Sequence, residues 1–324
     1  MGRALSVVRT LSAEKPHLLP LIPVLARSVV DRGRAAPGLP AMRRGRVATV
    51  APPDPPSGIT VFSIIRNGIA NGYPFVEAYG SWLRDADRIV LVDGESDDGT
   101  RAALDELAAL APHVEVVTRH WPSADAGGAA IAELTQTALE LARPGASRLV
   151  YVQADEVFPP AQRAEIGRSS GAALEFAGCV NFWNSFDEVV DNEFPMRYVR
   201  AFPPAQEIRS VADGFSFDLG VTPVERTPSQ ILHYGWCFPV NILRKHDSHS
   251  RIYRDHPAYR LRGVLARLLL RSGRYDHRLL HALAPHYRPV PYVGAHPASV
   301  RHLRGLPQYD PNPGLDELAR GAVW

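Results

Sequence analysis

The sequence predicts an α/β domain built on a mainly parallel sheet with helices on both faces, followed by a helical extension. Between Ile59 and Val152, short β-rich apolar runs alternate four times with segments of helical period. Runs such as Ile89-Val-Leu-Val92 are apolar on both faces, and a strand buried on both sides belongs to a parallel sheet sandwiched by helices. The alternation also demands crossover connections, which join parallel neighbours.

Ile59 to Ile65 reads as the first strand, followed by a loop with Gly68 and Gly72. Phe75, Tyr79, Trp82 and Leu83 then fall at i, i+4, i+7 and i+8, one face of a helix. Arg88 to Val92 is the second strand, ended by Asp93-Gly94. Asp98 or Thr100 caps the next helix, whose buried face is Leu104, Leu107 and Leu110. Val114 to Thr118 is a third strand. Ala129 to Leu141 is a helix with Ile131, Leu134, Ala138 and Leu141 on one side, and Leu149 to Val152 is the fourth strand.

The chain of 324 residues has 45% hydrophobic and 22% charged residues, which excludes wholesale disorder and a coiled-coil rod. Cys179 and Cys237 are its two cysteines, too few for a disulfide framework or a four-cysteine zinc site. No apolar run approaches the roughly 18 residues of a membrane span, and no clean signal peptide opens the chain, so a cytoplasmic location is expected. Nine prolines precede Gly58, so residues 1–57 read as a flexible, disordered leader, or as a start mis-assigned upstream of Met42. Residues 58–240 form the expected catalytic domain and 241–324 a basic helical extension. The net charge of +2 hides segregation: residues 1–57 carry 9 basic and 3 acidic side chains, 58–240 carry 13 and 25, and 241–324 carry 14 and 6. An acidic central domain argues against a nucleic-acid partner.

Ligands of open parallel sheets bind at the strands' carboxyl ends. There the sequence puts Arg66-Asn67, then Asp93, then Arg119 and Trp121, then Gln153-Ala-Asp155-Glu156. Helix capping accounts for Asp97 and Asp98 well. It accounts for Asp93 and Asp155 less well, since each closes an apolar strand where a carboxylate lacking a partner is penalised. Asn67-Gly-Ile-Ala-Asn-Gly72 is neither a dinucleotide-binding nor a P-loop glycine pattern, which argues against a dehydrogenase or P-loop NTPase. A diphosphate held without a glycine cradle calls instead for a divalent cation, Mg²⁺ or Mn²⁺, on carboxylates.

Val92-Asp-Gly-Glu-Ser-Asp-Asp-Gly-Thr100 resembles the Asp-Asp-x-Ser-x-Asp-Gly-Thr segment of family 2 glycosyltransferases of the GT-A fold, and Val150-Tyr-Val-Gln-Ala-Asp-Glu156 resembles their Asp-x-Asp strand end. Ser63-Ile-Ile-Arg-Asn-Gly68 with Gly72-Tyr-Pro-Phe75, and His233-Tyr-Gly-Trp236 with Lys245 nine residues later, extend the likeness over about Ile59 to Tyr253. The resemblance implies a GT-A-like, Rossmann-like domain: an inverting, hexosyltransferase-type enzyme that moves a sugar from a nucleotide-diphosphate donor to a hydroxyl of a glycan, lipid-linked or small-molecule acceptor. By the same resemblance Asp93 binds base or ribose, Ser63, Arg66 and Asn67 line the base pocket, and Asp155 holds the metal. Gly94 and Gln153 stand where the pattern has acids; Gln153 still hydrogen-bonds a ribose hydroxyl but offers no charge.

An inverting reaction needs a base on the acceptor side. Asp213, in Ser210-Val-Ala-Asp-Gly-Phe215, is preferred; Asp187, Glu188 and Asp218 compete, and a plain turn aspartate is an equal reading. His233 is a second metal ligand, a diphosphate contact or a structural residue. Trp183 and Trp236 read as core aromatics ahead of sugar-stacking ones, and Lys245 as a solvated helix residue ahead of a phosphate contact. Tyr259 to Leu283 interleaves arginines with leucines: a helix packed on the domain with arginines outward comes first, a peripheral contact with the inner face of an anionic membrane second. Nucleotidyl transfer and non-catalytic nucleotide-sugar or glycan binding are the alternative functions.

Overall fold

The computed structural model describes residues 35–46, 50–122, 128–168, 171–190, 197–211, 216–252, 257–275, 277–283 and 288–324. Strand β1 (Ile59–Ile65) lies between β2 (Arg88–Asp93) and β4 (Arg148–Tyr151), with β3 (Val114–Thr118) outside β2, and all three pairings are parallel. The joining helices are α1 (Gly68–Asn71), α2 (Phe75–Gly80), α3 (Thr100–Leu110) and α4 (Gly128–Ala142). Strand alternation divides β1 between two cores. Val61 and Ile65 face the cluster of Phe75, Tyr79, Leu104 and Leu107 from α2 and α3, whereas Phe62 faces that of Leu134, Ala138 and Leu139 from α4. The sheet sandwiched by helices is therefore the one expected, with boundaries shifted by a residue or two except at α2, which ends at Gly80 and leaves Trp82 and Leu83 in the following turn.

The second half adds β5 (Glu156–Val157), α5 (Pro160–Arg168), β6 (Ala173–Asn181), β7 (Glu188–Val190), β8 (Tyr198–Phe202), β9 (Arg209–Val211), β10 (Ser216–Asp218) and β11 (Val224–His233). The full sheet runs β3-β2-β1-β4-β8-β6-β11-β5, with β6–β11 parallel and β4–β8, β8–β6 and β11–β5 antiparallel. Only Val152 to Asp155 connect β4 to β5. At roughly 3.3–3.6 Å per residue, so short a link forces the sheet to curl until its last strands return over the carboxyl end of β4. That curl brings β11 to the crevice.

Helices α6 (Pro239–Ile252), α7 (Pro257–Ser272) and α8 (His277–Leu283), strand β12 (Pro289–Pro291), a 3₁₀ turn (Ala298–Leu303) and α9 (Asn312–Ala319) complete the chain. Leu265, Ala266 and Leu269 of α7 pack on Ile242 and Leu243 of α6, while Arg260 and Arg271 are exposed. Among the described residues, no helix is long and apolar enough to cross a membrane.

Both ends of the described chain lie on the domain. Val300, Tyr309, Leu315 and Leu318 belong to the same core cluster as β1. Within the stretch read as leader, Val50 donates its N–H to the Leu110 carbonyl at 2.6 Å, and Arg46 bridges Glu106 at 3.4 Å and Asp316 at 2.9 Å. Glu77, fully buried on α2, takes hydrogen bonds from His302 and Tyr309 at 2.9 Å each. These ties join the last segment to the second helix.

Candidate active site

The loops after β1 and β2 are built as one clasp. Asn67, left-handed at φ 51°, donates its N–H to Ser96 Oγ at 2.9 Å and accepts the Asp97 N–H on Oδ1 at 2.9 Å. Asp98 accepts the N–H groups of Ala70 at 2.6 Å and Thr100 at 3.0 Å, and Thr100 Oγ1 accepts that of Ile69 at 3.1 Å. The Ser-Asp-Asp-Gly-Thr string thus satisfies free donors at the starts of two helices, which is the capping role expected of Asp98. Asp93 differs. It is 1% exposed, and among the described residues its carboxylate takes only the Ser96 N–H, at 3.3 and 3.4 Å. A buried carboxylate with so little compensation is penalised unless it gains a further partner.

Above Asp93, Arg66 lies 5.1 Å over the Trp121 ring. A Cβ at Gly94 would stand 2.5 Å from that same ring, so the acid missing from the motif has no room. Glu95, at φ 58°, accepts the Trp121 N–H at 3.3 Å and faces His120 Nδ1 at 2.9 Å. The Trp121 N–H, aided by His120 and Arg66, holds its carboxyl below the usual range against the opposing effect of desolvation. Ser63 is placed otherwise than expected. Its side chain faces α2, where Oγ meets Tyr79 Oη at 2.9 Å in the fully buried core, so its hydroxyl does not line the crevice.

At the end of β4 the chain turns sharply, with the Glu156 N–H on the Gln153 carbonyl at 3.0 Å and the Gln153 N–H on Glu156 Oε2 at 3.2 Å. Glu156 is locked by Arg200, Nε to Oε2 at 2.9 Å and Nη2 to Oε1 at 2.8 Å, both side chains being essentially inaccessible. The Arg200 guanidinium lies against the rings of Tyr151 and Tyr198 at 5.4 and 5.1 Å. Sequence reasoning overlooked this pair; its signal was an arginine in the middle of the apolar strand Tyr198-Val-Arg-Ala-Phe202.

The turn delivers Asp155 to β11. The Tyr234 N–H reaches the Asp155 carbonyl at 2.8 Å, and Asp155 Oδ2 stands 3.2 Å from His233 Nε2 and 3.6 Å from Lys245 Nζ. Lys245 is 5% exposed, hydrogen-bonds the Gly235 carbonyl at 3.2 Å and lies over the rings of Trp236 and Tyr73 at 4.3 and 4.5 Å. The solvated helix face expected for it is therefore corrected: α6 aims this lysine inward at a carboxylate. Each residue of His233-Tyr-Gly-Trp236 has a part. Tyr234 stacks on Phe182 at 4.4 Å, and a Cβ on Gly235 would run into Asp155 Oδ2.

Burial by itself pushes the Asp155 carboxyl up, but His233 and then Lys245 outweigh it and hold the group well below the ordinary carboxylate range. Asp155 is thus an anion at any working pH and a poor base. Lys245 is drawn down by burial, against the pull of Asp155. His233 Nδ1 is buried and has no hydrogen-bond partner among the described residues.

The oxygen–nitrogen distance between Asp155 and His233 suits two neighbouring ligands of one divalent ion, whose bonds of about 2.1 Å at right angles separate donors by about 3 Å. No cluster of three acidic, histidine or cysteine side chains forms among the described residues. A pair suffices for an ion completed by substrate oxygens and water, and the imidazole nitrogen favours Mn²⁺ over Mg²⁺.

Asp213 lies outside the described residues. Asp187 pairs with Arg304, Asp218 accepts the Gly220 N–H in a turn at 3.1 Å, and Glu188 sits in β7. Trp183 is buried in the second core cluster, with Trp236 packed against it.

No protein-family model and no curated protein matches the chain. Among solved structures, TarS 1–349 of S. aureus is similar at 12% identity and a TM-score of 0.34 over 60% of this chain, which spans 64% of that one. PcManGT, a mannosyltransferase from Pyrobaculum calidifontis solved with GDP-Man and Mn²⁺, is similar at 14% identity and a TM-score of 0.33, over 87% of this chain and 84% of its own. A Desulfovibrio desulfuricans G20 protein assigned as a nucleotide-diphospho-sugar transferase gives 12%, 0.33, 68% and 99%. Likeness at this level says nothing about activity.

Proposed function

We propose that the chain is a glycosyltransferase that moves a sugar, with inversion, from a nucleoside-diphosphate donor to an acceptor hydroxyl. One observation carries the reading: two buried aspartates, one ending β2 and one on the turn after β4, lie at the carboxyl edge of the sheet. Asp93 ends β2 and Asp155 follows β4, and both strands flank β1 in parallel.

In this reading Asp93 takes a donor from base or ribose, and the Arg66–Trp121 pair walls the nucleoside side. Asp155 and His233 would hold a divalent cation, which neutralises charge on the leaving diphosphate. The clasp of Asn67 and Asp98 keeps the nucleoside side rigid, and the Arg200–Glu156 pair fixes the turn bearing Asp155. The acceptor side opens toward the β9–β10 hairpin. Arg143 at the end of α4 contacts the Ala205 and Ile208 carbonyls, while Ser210 meets Gln136 nearer the start of α4, so the hairpin climbs toward the sheet's carboxyl edge. Asp213, which falls between β9 and β10 in the sequence, remains our general base.

A panel of nucleotide sugars tests the proposal, with nucleoside diphosphate release as readout. Asp155→Asn keeps the shape and removes the charge, so release should fall at least a hundredfold in a protein that still folds, at a lower unfolding midpoint because Lys245 loses its counter-charge. Full release by that variant, or pyrophosphate release from a nucleoside triphosphate instead, would sink the reading. Saturable donor binding without turnover in the native protein would mark a binding module.

A further inference from the structure

We propose that Lys245 is the resident counter-ion of Asp155 and makes entry of the divalent cation conditional on the diphosphate, so that ion and nucleoside diphosphate assemble together. The inference rests on the donor-site reading above and concerns the order in which its charges come together. Lys245 is not displaced easily. The residue is 5% exposed, and its ammonium is bound to the Gly235 carbonyl at 3.2 Å and held between the faces of Trp236 and Tyr73 at 4.3 and 4.5 Å. It stands 3.6 Å from the same Asp155 Oδ2 that lies 3.2 Å from His233 Nε2.

A divalent ion on Asp155 and His233 alone would bring two positive charges beside a third in a site nearly closed to water, with one carboxylate to balance them. A buried charge excess of that kind opposes binding. The acid that would have supplied a second negative charge is Gln153. A nucleoside diphosphate brings the missing negative charge itself, so ion and ligand each create the site the other needs. Linkage then requires that each raise the other's affinity by one common factor. Lys245 is a positioning and charge-setting residue here, and the reacting carbon need not touch it.

The test is Mn²⁺ binding to the full chain, followed by loss of the free-ion electron paramagnetic resonance signal, alone and with UDP, GDP, CDP and dTDP in turn. The expected result is Mn²⁺ affinity at least tenfold higher with the accepted nucleotide, and the same factor for that nucleotide with and without Mn²⁺. Lys245→Met keeps the side-chain length between the two rings. In that variant Mn²⁺ should bind the nucleotide-free protein at least tenfold more tightly and the coupling factor should shrink; Lys245→Arg should keep the coupling. Equal Mn²⁺ affinity with and without nucleotide in the native protein overturns the inference even if no variant folds. So does full nucleotide affinity in EDTA, or coupling unchanged in Lys245→Met. If no nucleoside diphosphate binds under any condition, the donor-site reading has failed instead.

Discussion

Gly235→Ala probes the construction of the crevice directly. A Cβ at that position would run into Asp155 Oδ2 and stand 3.0 Å from Asp155 Cγ and 2.9 Å from Lys245 Nζ. None of these groups yields freely, because Asp155 is fixed through its carbonyl to Tyr234 and Lys245 is held between two rings. Forcing an extra carbon into such a site costs about 1–3 kcal/mol. Swinging the carboxylate aside would leave the buried ammonium unpaired, at about 3–5 kcal/mol for a broken buried pair. The cheaper route sets the expectation: urea unfolding should show a loss of about 1–3 kcal/mol. Donor binding should weaken by about tenfold for each 1.4 kcal/mol of misplacement. Asp155→Ala removes the nearest obstacle and leaves only Lys245 Nζ at 2.9 Å, so in that background the same substitution should cost clearly less than in the native protein. Equal losses in both backgrounds would show that the carboxylate is not what excludes a side chain at 235.

Three further substitutions examine the surroundings. Gly94→Asp, which restores the acid of the motif, should lower stability and displace Trp121, whose ring lies 2.5 Å from the new Cβ; unchanged tryptophan fluorescence and an unchanged unfolding midpoint would contradict the contact. Arg200→Met should cost about 3–5 kcal/mol in urea unfolding by stranding Glu156, and adding Glu156→Leu should recover most of it; no recovery would mean that the charge pair is not the cause. For His302, burial lowers proton affinity but the hydrogen bond and charge of Glu77 outweigh it, leaving the group raised. Its contribution is therefore complete below about pH 6.5 and is lost as pH rises through the folded value. The stability gap between the native protein and His302→Gln should narrow from about pH 6.5 upward, and a constant gap would refute the linkage.

The first half of the sheet was legible because periodicity alone specifies it: Ile59–Ile65 and Val114–Thr118 fall where the apolar runs fall. The strand-end aspartates were legible because a carboxylate closing a doubly buried strand conflicts with its surroundings. What the sequence hid are side chains whose meaning depends on contacts between distant residues. Ser63 looks like a loop-proximal polar group, yet strand alternation turns it onto Tyr79. Lys245, in a helix rich in polar residues, gives no local sign of which face is buried, because its partners arrive from β4, β11 and the loop after α1. The curl of the sheet, set by the four-residue link after β4, makes that meeting possible, and no local pattern encodes a curl.

Charge that looks segregated along the chain is complementary in space. The acidic stretch 58–240 meets the basic stretches on either side through Arg46–Glu106, Arg304–Asp187, His302–Glu77 and Lys245–Asp155. Exposed pairs of this kind contribute little individually, but buried ones decide local potential. A domain with 25 acidic and 13 basic side chains would repel a diphosphate at long range. In the proposed reading, attraction then arises locally, from Arg66 at one end of the crevice and Lys245 at the other. Lys245 comes from the basic C-terminal stretch, so without that stretch the acidic half keeps Asp93 and Asp155 but loses this counter-charge. The C-terminal stretch thus brings a buried cation to Asp155.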